Sequence, residues 1–211
     1  MWRAFTLLLI ANPTRLSRTM ESFRPQSADY CIKYDASLTG LGVGLYRMTD
    51  SSLVAFTAFE IPFAVTNESK RQNTMEFLAV ILGLLIAWRC NVRNFHYQLH
   101  GDSISSLAWA KADRVNSTLA RRANIVFTSI SLHLEATIAD TLHVPGKMNV
   151  IFDGLSRGVS PLDLGLDTTL QYDSTTDEGI VQLIMLCDPS RELTDMTSHT
   201  DLLRQCTLLL T

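Results

Sequence analysis

The sequence predicts an α/β fold: a five-stranded mixed sheet, with three antiparallel strands and then two parallel ones, flanked by helices. Three runs with strand-like alternation, separated by tight turns, follow one another between Asp29 and Pro62 and predict an antiparallel meander. A long apolar helix comes next and leads into a fourth strand. Because strand–helix–strand crossovers are right-handed, this connection places the fourth strand parallel to the first.

Local patterns predict the individual elements. The stretch "NTMEFLAVILGLLIAW" predicts the crossover helix, with Asn73 as its N-cap and Glu76 three residues later, the spacing of a capping box. Its apolar part, residues 77–88, is about half as long as a bilayer requires, so we expect a buried core helix. The other predicted strands and helices are, in order, "DYCIKYDAS", "LGVGLYRM", "LVAFTAF", "NFHYQLHG", "DSISSLAWAKA", "TLARRANIVFTSISLHL", "ATIADTLHV" and "NVIFDGLSR".

Charge and cysteine content indicate how the chain is organised. We expect a connecting segment at residues 1–25, a folded domain at residues 26–158 and an acidic, weakly helical linker or tail at residues 159–211. The first two parts together hold 16 Lys and Arg against 12 Asp and Glu, whereas the tail holds 2 against 9. A mildly basic body gives weak support for a nucleic-acid partner. The four cysteines include no Cys-x-x-Cys pair, so we expect reduced thiols and an intracellular location, cytoplasmic or nuclear.

Two features of "KYDASLTGLGVGLY" indicate a functional site. Asp35 lies in the first strand, where a carboxylate is costly unless something positive meets it. Gly40, Gly42 and Gly44 alternate along the second strand, where glycine weakens packing but lets another backbone or a ligand approach closely.

Four carboxylates lie at positions that could converge. Asp35 is in the first strand, Glu76 in the crossover helix, Asp102 at the end of the fourth strand and Asp153 in the short helix after the fifth. Strands one and four are predicted to be parallel neighbours, and ligands in open α/β sheets bind near such strand ends. Converging carboxylates repel one another unless cations relieve the repulsion, and oxygen-only ligands favour Mg²⁺ or Mn²⁺.

Each carboxylate also has a structural interpretation. Glu76 could serve only a capping box, Asp102 could be the N-cap of the helix that follows it, and Asp153 could be a solvated surface residue. Asp35 has the weakest structural explanation, and the four together favour a metal site.

The chain resembles a type 1 ribonuclease H domain of the kind attached to retroelement reverse transcriptases. The resemblance runs from about Tyr30 to Arg157 and rests on "YDASLTGLGVGLY", "NTMEFLAV", "LHGDSISSLAW" and "HVPGKMNVIFDGLSRG". The last is close to the family's Gly-Lys-x-Asn…Ala-Asp-x-Leu-Ser-Arg ending. The resemblance implies a ribonuclease H-like fold, and the family's metal-binding acids fall on Asp35, Glu76 and Asp102, together with Asp153.

This resemblance implies two-metal hydrolysis of the RNA strand in an RNA–DNA hybrid, with two Mg²⁺ or Mn²⁺ ions. Asp35 would bridge both ions, Glu76 and Asp102 would complete the shell of one, and Asp153 that of the other. The glycines would leave room for the backbone of the hybrid. The implied partners are the hybrid and a reverse transcriptase polymerase domain in a parent polyprotein, with no membrane. The implied substrate-binding residues are Ser37, Leu38, Thr39, Asn73, Ser103 and Asn149.

The sequence also departs from the family. Phe152 replaces the usual alanine, and His143 falls at a strand end rather than in the loop that carries a mobile histidine in cellular members, so we expect a structural role for it. A module of the same fold that binds nucleic acid or a polymerase partner without catalysis is the main alternative. Convergence of the four carboxylates would favour the enzyme, whereas Glu76 turned towards its own helix start would favour the silent module.

Overall fold

The structure, a computed structural model, describes residues 27–63, 69–112, 120–188 and 196–210. The connecting segment expected at residues 1–25 lies outside these ranges. The strands are β1 (Tyr30–Ala36), β2 (Gly40–Arg47), β3 (Leu53–Glu60), β4 (His96–Gly101) and β5 (Thr137–His143). The helices are α1 (Ser69–Arg89), α2 (Ile104–Lys111), α3 (Arg121–Leu134), α4 (Val150–Ser156), α5 (Glu178–Leu186) and α6 (Met196–Leu210).

The five strands form one mixed sheet in the order β3-β2-β1-β4-β5. β1 pairs antiparallel with β2, and β2 antiparallel with β3. β4 lies parallel to β1 on one side and to β5 on the other. The predicted meander followed by two parallel strands is therefore confirmed, and the crossover through α1 places the carboxyl ends of β1 and β4 side by side.

Helix α1 forms the centre of the core. From Met75 to Ala87 nearly every side chain is inaccessible to solvent, because the helix packs against the sheet on one side and against α2 and α3 on the other. A helix that is apolar all round is expected to be buried in this way. The predicted core helix is confirmed, and within the described ranges no helix has the length and apolar character needed to cross a membrane.

The start of α1 corrects one prediction. The helix is already formed at Ser69, so Asn73 lies one turn inside it rather than at the N-cap. Glu76 is then in the second turn, too far from the helix start to complete a capping box. The capping interpretation of both residues is wrong, and the Glu76 carboxylate is left for another role.

The alternating glycines of β2 lie beneath helix α4. A Cβ on Gly40 would come within 2.5 Å of the Ser156 carbonyl oxygen, and one on Gly42 within 2.8 Å of Leu155 Cβ. A Cβ on Gly44 would come within 2.7 Å of the Phe152 ring. The expectation that these glycines leave room for a hybrid's backbone is wrong, because the α4 backbone fills the space at Gly40 and Gly42 and the Phe152 ring fills it at Gly44.

The described residues beyond 158 pack more closely than the expected linker or tail. Ile180, Leu183 and Ile184 of α5 are fully buried and belong to the same core as α1. Upstream of α5, the Tyr172 amide donates a hydrogen bond of 2.8 Å to the Phe56 carbonyl and covers the outer edge of β3. The helical periodicity of α5 is thus enough to bury these three apolar side chains in the core.

A half-buried ion pair joins this part to the core, and we expect its loss to destabilise the protein. Arg89 Nη2 donates to Asp177 Oδ1 at 2.7 Å, and the same oxygen accepts the Ile180 amide at 3.1 Å as the N-cap of α5. Although burial alone would raise the pKa of Asp177, the hydrogen bonds from Arg89 and Tyr172 hold it below its usual value. Asparagine can still cap α5, so Asp177→Asn should lower the free energy of unfolding by about 2 kcal/mol through loss of the charged contact with Arg89, measured by urea denaturation.

The control for this prediction is Asp50→Asn. Asp50 forms an exposed ion pair with Arg47, at 3.4 Å, and exposed pairs contribute little to stability. Equal losses of stability in the two variants would contradict a specific role for the Asp177 contact.

Candidate active site

Three of the four predicted carboxylates converge at the carboxyl ends of β1 and β4. Asp35 is the penultimate residue of β1, and Asp102 directly follows β4. The parallel register pairs Lys33 with His100, two residues before each carboxylate, so both side chains reach the same edge of the sheet. Glu76 approaches from α1, and one carboxylate oxygen from each of the three lies within 4.8 Å of the others.

Asp35 is held on both of its oxygens. Its carboxylate is only 3% exposed. Ser156 Oγ donates to Oδ2 at 2.9 Å, and Asn149 Nδ2 contacts Oδ1 at 3.4 Å while donating to the Tyr34 carbonyl at 2.8 Å. Burial, followed by the charges of Asp102 and Asp153, raises the pKa of Asp35 to about 6, although the Ser156 hydrogen bond opposes this shift.

Glu76 is buried with one oxygen unsatisfied. Gln72 Nε2 donates to Glu76 Oε1 at 3.2 Å and also to the Ala36 carbonyl at 2.7 Å, so it ties the helix to the end of β1. Among the described residues, no group hydrogen-bonds to Oε2. Burial, with the charges of Asp35 and Asp102, raises the pKa of Glu76 to about 9. An orphaned buried carboxylate oxygen beside two other carboxylates is what a cation site requires.

Asp102 is not the cap of the helix that follows it. Ser103 is the N-cap of α2, and its Oγ accepts the Ser106 amide at 3.2 Å. The capping interpretation of Asp102 is therefore wrong, and its carboxylate is half-buried and faces the other two. His143, for which a structural role is predicted, lies at the end of β5 and its Nε2 donates to the Asp102 carbonyl at 3.0 Å.

Asp153 lies at the rim rather than in the three-carboxylate group. Its Oδ1 pairs with Arg157 Nε at 2.8 Å one turn along α4, and both side chains are largely exposed. Its charge still contributes to the raised pKa of Asp35. The predicted convergence thus holds for three residues, while the fourth faces the same cleft from its edge.

The carboxylates line an open cleft of about 390 Å³. A larger cleft of about 600 Å³ lies elsewhere, but its lining is mostly apolar and contains a single carboxylate, that of Glu60. The smaller cleft, which holds the carboxylates, is therefore the candidate active site. Its lining residues are Asp35, Ala36, Gln72, Asn73, Glu76, Asp102, Ser103, Ile104, Asp153 and Arg157.

The predicted substrate-binding residues divide into two groups. Asn73 and Ser103 line the cleft and hydrogen-bond to each other, Ser103 Oγ to Asn73 Oδ1 at 3.2 Å. Asn149 is buried with its amide on Asp35, and Ser37 Oγ is used within the protein, where it donates to the Ser156 carbonyl at 2.7 Å.

The last two members of that set lie in the turn between β1 and β2. There Leu38 is half-buried and Thr39 is exposed, with its amide bonded to Ser37 Oγ at 3.1 Å.

Sequence reasoning missed three contributors to this site: Gln72, Ser156 and Arg157. Gln72 lies four residues before Glu76 on the same helix, a spacing that brings side chains together once a helix is assigned from Ser69. Ser156 and Arg157 stand in the quoted "GLSR" ending, three and four residues after Asp153, so helical spacing could have linked them to that carboxylate.

The architecture is shared with a solved ribonuclease H1. Ribonuclease H1 from the halophilic archaeon Halobacterium salinarum NRC-1 superposes with a TM-score of 0.50 at 23% identity, over 64% of this chain and 97% of that one. This chain has the RNase H-like fold. No protein-family model and no curated protein matches the sequence.

Two further structures are similar at lower scores. The ribonuclease H1 LC11, isolated from compost by a metagenomic approach, has a TM-score of 0.49 at 15% identity, over 65% of this chain and 99% of its own. The N-terminal RNase H domain of a Mycobacterium tuberculosis protein has a TM-score of 0.45 at 17% identity, over 60% and 94%. Likeness at these identities concerns the fold alone.

Within this RNase H-like fold, we expect Glu76→Gln to stabilise the metal-free protein. The pKa of Glu76 is about 9 when folded against 4.5 for the free side chain, so its burial costs stability increasingly as pH rises from 4.5 towards 9. Glutamine carries no such cost. The variant should be more stable than wild type by up to about 3 kcal/mol at pH 7 and no more stable near pH 4.

Urea unfolding in the presence of a chelator, at both pH values, measures this difference. Glu60→Gln is the control, because Glu60 is exposed at the end of β3. A gain that was the same at both pH values would contradict the electrostatic explanation.

Proposed function

We propose that this chain is a metal-dependent endonuclease that hydrolyses the RNA strand of RNA–DNA hybrids during reverse transcription of a retroelement. The observation that carries the proposal is the convergence of Asp35, Glu76 and Asp102 at the carboxyl ends of two parallel strands in an RNase H-like fold. Nucleic acid is the substrate class that fits this fold and site together.

The donor set fits divalent metal ions. The three converging groups are all carboxylates, which favour Mg²⁺ or Mn²⁺ over softer metals. The unsatisfied Glu76 Oε2 is a ready ligand atom. We infer that Asp35, Glu76 and Asp102 would hold one ion, and that Asp153, with Asp35, would hold a second. Bound ions would supply Lewis-acid stabilisation of the charge that develops at the phosphate.

The protein's own residues prepare the site for this reaction. Asn149 and Ser156 fix the Asp35 carboxylate, and Gln72 fixes that of Glu76. Positioning of this kind lowers the entropic cost of bringing the reacting groups together. At the cleft edge, Arg157 offers a guanidinium that can exchange its contact with Asp153 for a substrate phosphate.

Selectivity for the RNA strand of the hybrid would come from contacts to the 2′-hydroxyl, the group by which proteins distinguish RNA from DNA. Asn73 and Ser103 are polar groups on the cleft wall near the carboxylates. The exposed Thr39 and the half-buried Leu38 present the turn between β1 and β2 to the same edge of the sheet. These groups are proposed to contact the RNA strand.

The retroelement origin is proposed on the sequence resemblance alone. The "HVPGKMNVIFDGLSRG" stretch, close to the ending of retroelement ribonucleases H, supports it. On this proposal a reverse transcriptase polymerase domain is the partner within a parent polyprotein.

One observation favours the catalytically silent alternative. Asp153 is paired with Arg157 and stays outside the three-carboxylate group. A module with only one metal position could bind nucleic acid without cutting it.

Cleavage of a hybrid labelled separately on each strand tests the proposal. With Mg²⁺ or Mn²⁺, the full chain should cut the RNA strand and leave the DNA strand intact, and a chelator should stop the reaction. Duplex DNA and duplex RNA serve as control substrates. Binding of the hybrid without cleavage of either strand would support the silent module instead.

A further inference from the structure

We propose that Ser156 is a positioning residue that orients Asp35 for metal binding; the inference rests on the proposed function of the carboxylate cluster. Its Oγ lies 2.9 Å from Asp35 Oδ2, and its side chain is buried with 2% exposure. Ser156 stands one turn after Asp153 on α4, so a single short helix carries both a carboxylate of the cleft and a donor to Asp35.

The packing of α4 on β2 explains how a serine reaches this position. Gly40 and Gly42 let the α4 backbone approach the sheet, because a Cβ on Gly40 would come within 2.5 Å of the Ser156 carbonyl oxygen. Ser37 Oγ then donates to that carbonyl at 2.7 Å and fixes it to the turn after β1. The close packing of α4 on β2 therefore fixes the backbone of Ser156, and the hydroxyl of the same residue contacts Asp35.

The hydroxyl of Ser156 can go on donating to Asp35 when a cation is bound. A carboxylate has about four lone-pair sites on its two oxygens, so Oδ2 can accept the Ser156 proton at 2.9 Å and still offer a lone pair to a cation. The Asp153 carbonyl lies at the same distance, 2.9 Å, from Ser156 Oγ and holds the hydroxyl between α4 and Asp35. The hydrogen bond that orients Asp35 therefore need not break when a metal binds.

Metal affinity distinguishes a positioning role of Ser156 from a role in packing alone. Carboxylates that bind metals are commonly held by hydrogen bonds from neighbouring residues, and losing one typically weakens metal binding by about tenfold or more. Ser156→Ala should therefore raise the dissociation constant for Mn²⁺ about tenfold. The metal concentration for half-maximal hybrid cleavage should rise by a similar factor, with kcat at saturating metal changed little.

Ser174→Ala is the matched control. Ser174 is also fully buried and its Oγ pairs with Thr57 Oγ1 at 2.6 Å, but it contacts no carboxylate of the cleft. Both alanine variants should lower Tm by a few degrees, while only Ser156→Ala should change Mn²⁺ affinity. If Ser156→Ala fails to fold, Ser156→Cys, which keeps the shape with a weaker donor, carries the same test.

The measurements are titration of the full chain with Mn²⁺, followed by its electron paramagnetic resonance signal, and hybrid cleavage against metal concentration. Unchanged Mn²⁺ affinity in Ser156→Ala, with wild type active, would overturn the positioning role and leave the proposed function intact. Weakened Mn²⁺ affinity in a protein that cuts no hybrid would uphold the positioning role and count against the nuclease. A wild type that binds no Mn²⁺ would overturn both.

Discussion

Asp35→Asn is expected to reduce hybrid cleavage by at least about a thousandfold while leaving the protein folded. Metal-assisted hydrolysis draws several kcal/mol of transition-state stabilisation from the bound ions, and each 1.36 kcal/mol is a factor of ten in rate. Asp35 is the carboxylate proposed to contact both ions. Asparagine keeps the shape and the hydrogen bond from Ser156 but removes the charge. Initial rates with Mg²⁺ on a labelled hybrid measure the loss.

Stability provides the check on this interpretation. The pKa of Asp35 is raised chiefly by burial, so the charge opposes folding near neutral pH and its removal should not lower Tm. Asp50→Asn, at the exposed turn after β2, is the control and should cleave at the wild-type rate. Substantial cleavage by folded Asp35→Asn would mean that the reaction does not use this carboxylate.

Gly42→Ala is expected to be the most destabilising single substitution of those considered. A Cβ at this position would overlap with the Phe152 carbonyl oxygen and come within 2.8 Å of Leu155 Cβ and 2.9 Å of the Ser156 amide. Because the obstruction is backbone, no side-chain rotation relieves it. Overpacking of this kind costs about 1–3 kcal/mol or more, and here α4 must move away from Asp35. We therefore expect losses of both stability and Mn²⁺ affinity.

Gly158→Ala distinguishes close packing from the general cost of replacing glycine. Gly158 has a φ of 78°, and a Cβ there would meet nothing within 4 Å. The left-handed backbone makes alanine cost about 1–2 kcal/mol. Thermal unfolding and Mn²⁺ titration should show a smaller loss of stability and no change of affinity. A Gly42→Ala protein as stable as wild type would contradict the close contact of α4 with β2.

The fold was predictable because its signals are local and mutually consistent. Alternation between residues 29 and 62, followed by an apolar helix and a further strand, permits few topologies once right-handed crossover is imposed. The same reasoning brought Asp35 and Asp102 to one edge of the sheet, since each stands at the end of one of two parallel strands.

The details that sequence reasoning missed depend on where elements begin and on what packs against them. The sequence around Asn73 is typical of a helix N-cap, but α1 already begins at Ser69. Glu76 therefore lies in the second turn of the helix, where its side chain reaches the cleft rather than the helix start. The alternating glycines of β2 indicated that another group packs closely against this strand, but the sequence did not show that this group is helix α4. Helical spacing makes an ion pair between Asp153 and Arg157 possible, but spacing alone does not show whether Asp153 pairs with Arg157 or turns towards the other carboxylates.

Diffraction from crystals of the full chain grown with Mn²⁺, recorded at the manganese absorption edge, would locate any bound ion. We expect an anomalous peak between the carboxylates of Asp35, Glu76 and Asp102. We also expect Asp153 to leave Arg157 when a second ion is bound. A cleft without an anomalous peak at millimolar Mn²⁺, or a peak only at other surface carboxylates, would contradict the metal site and the nuclease function built on it.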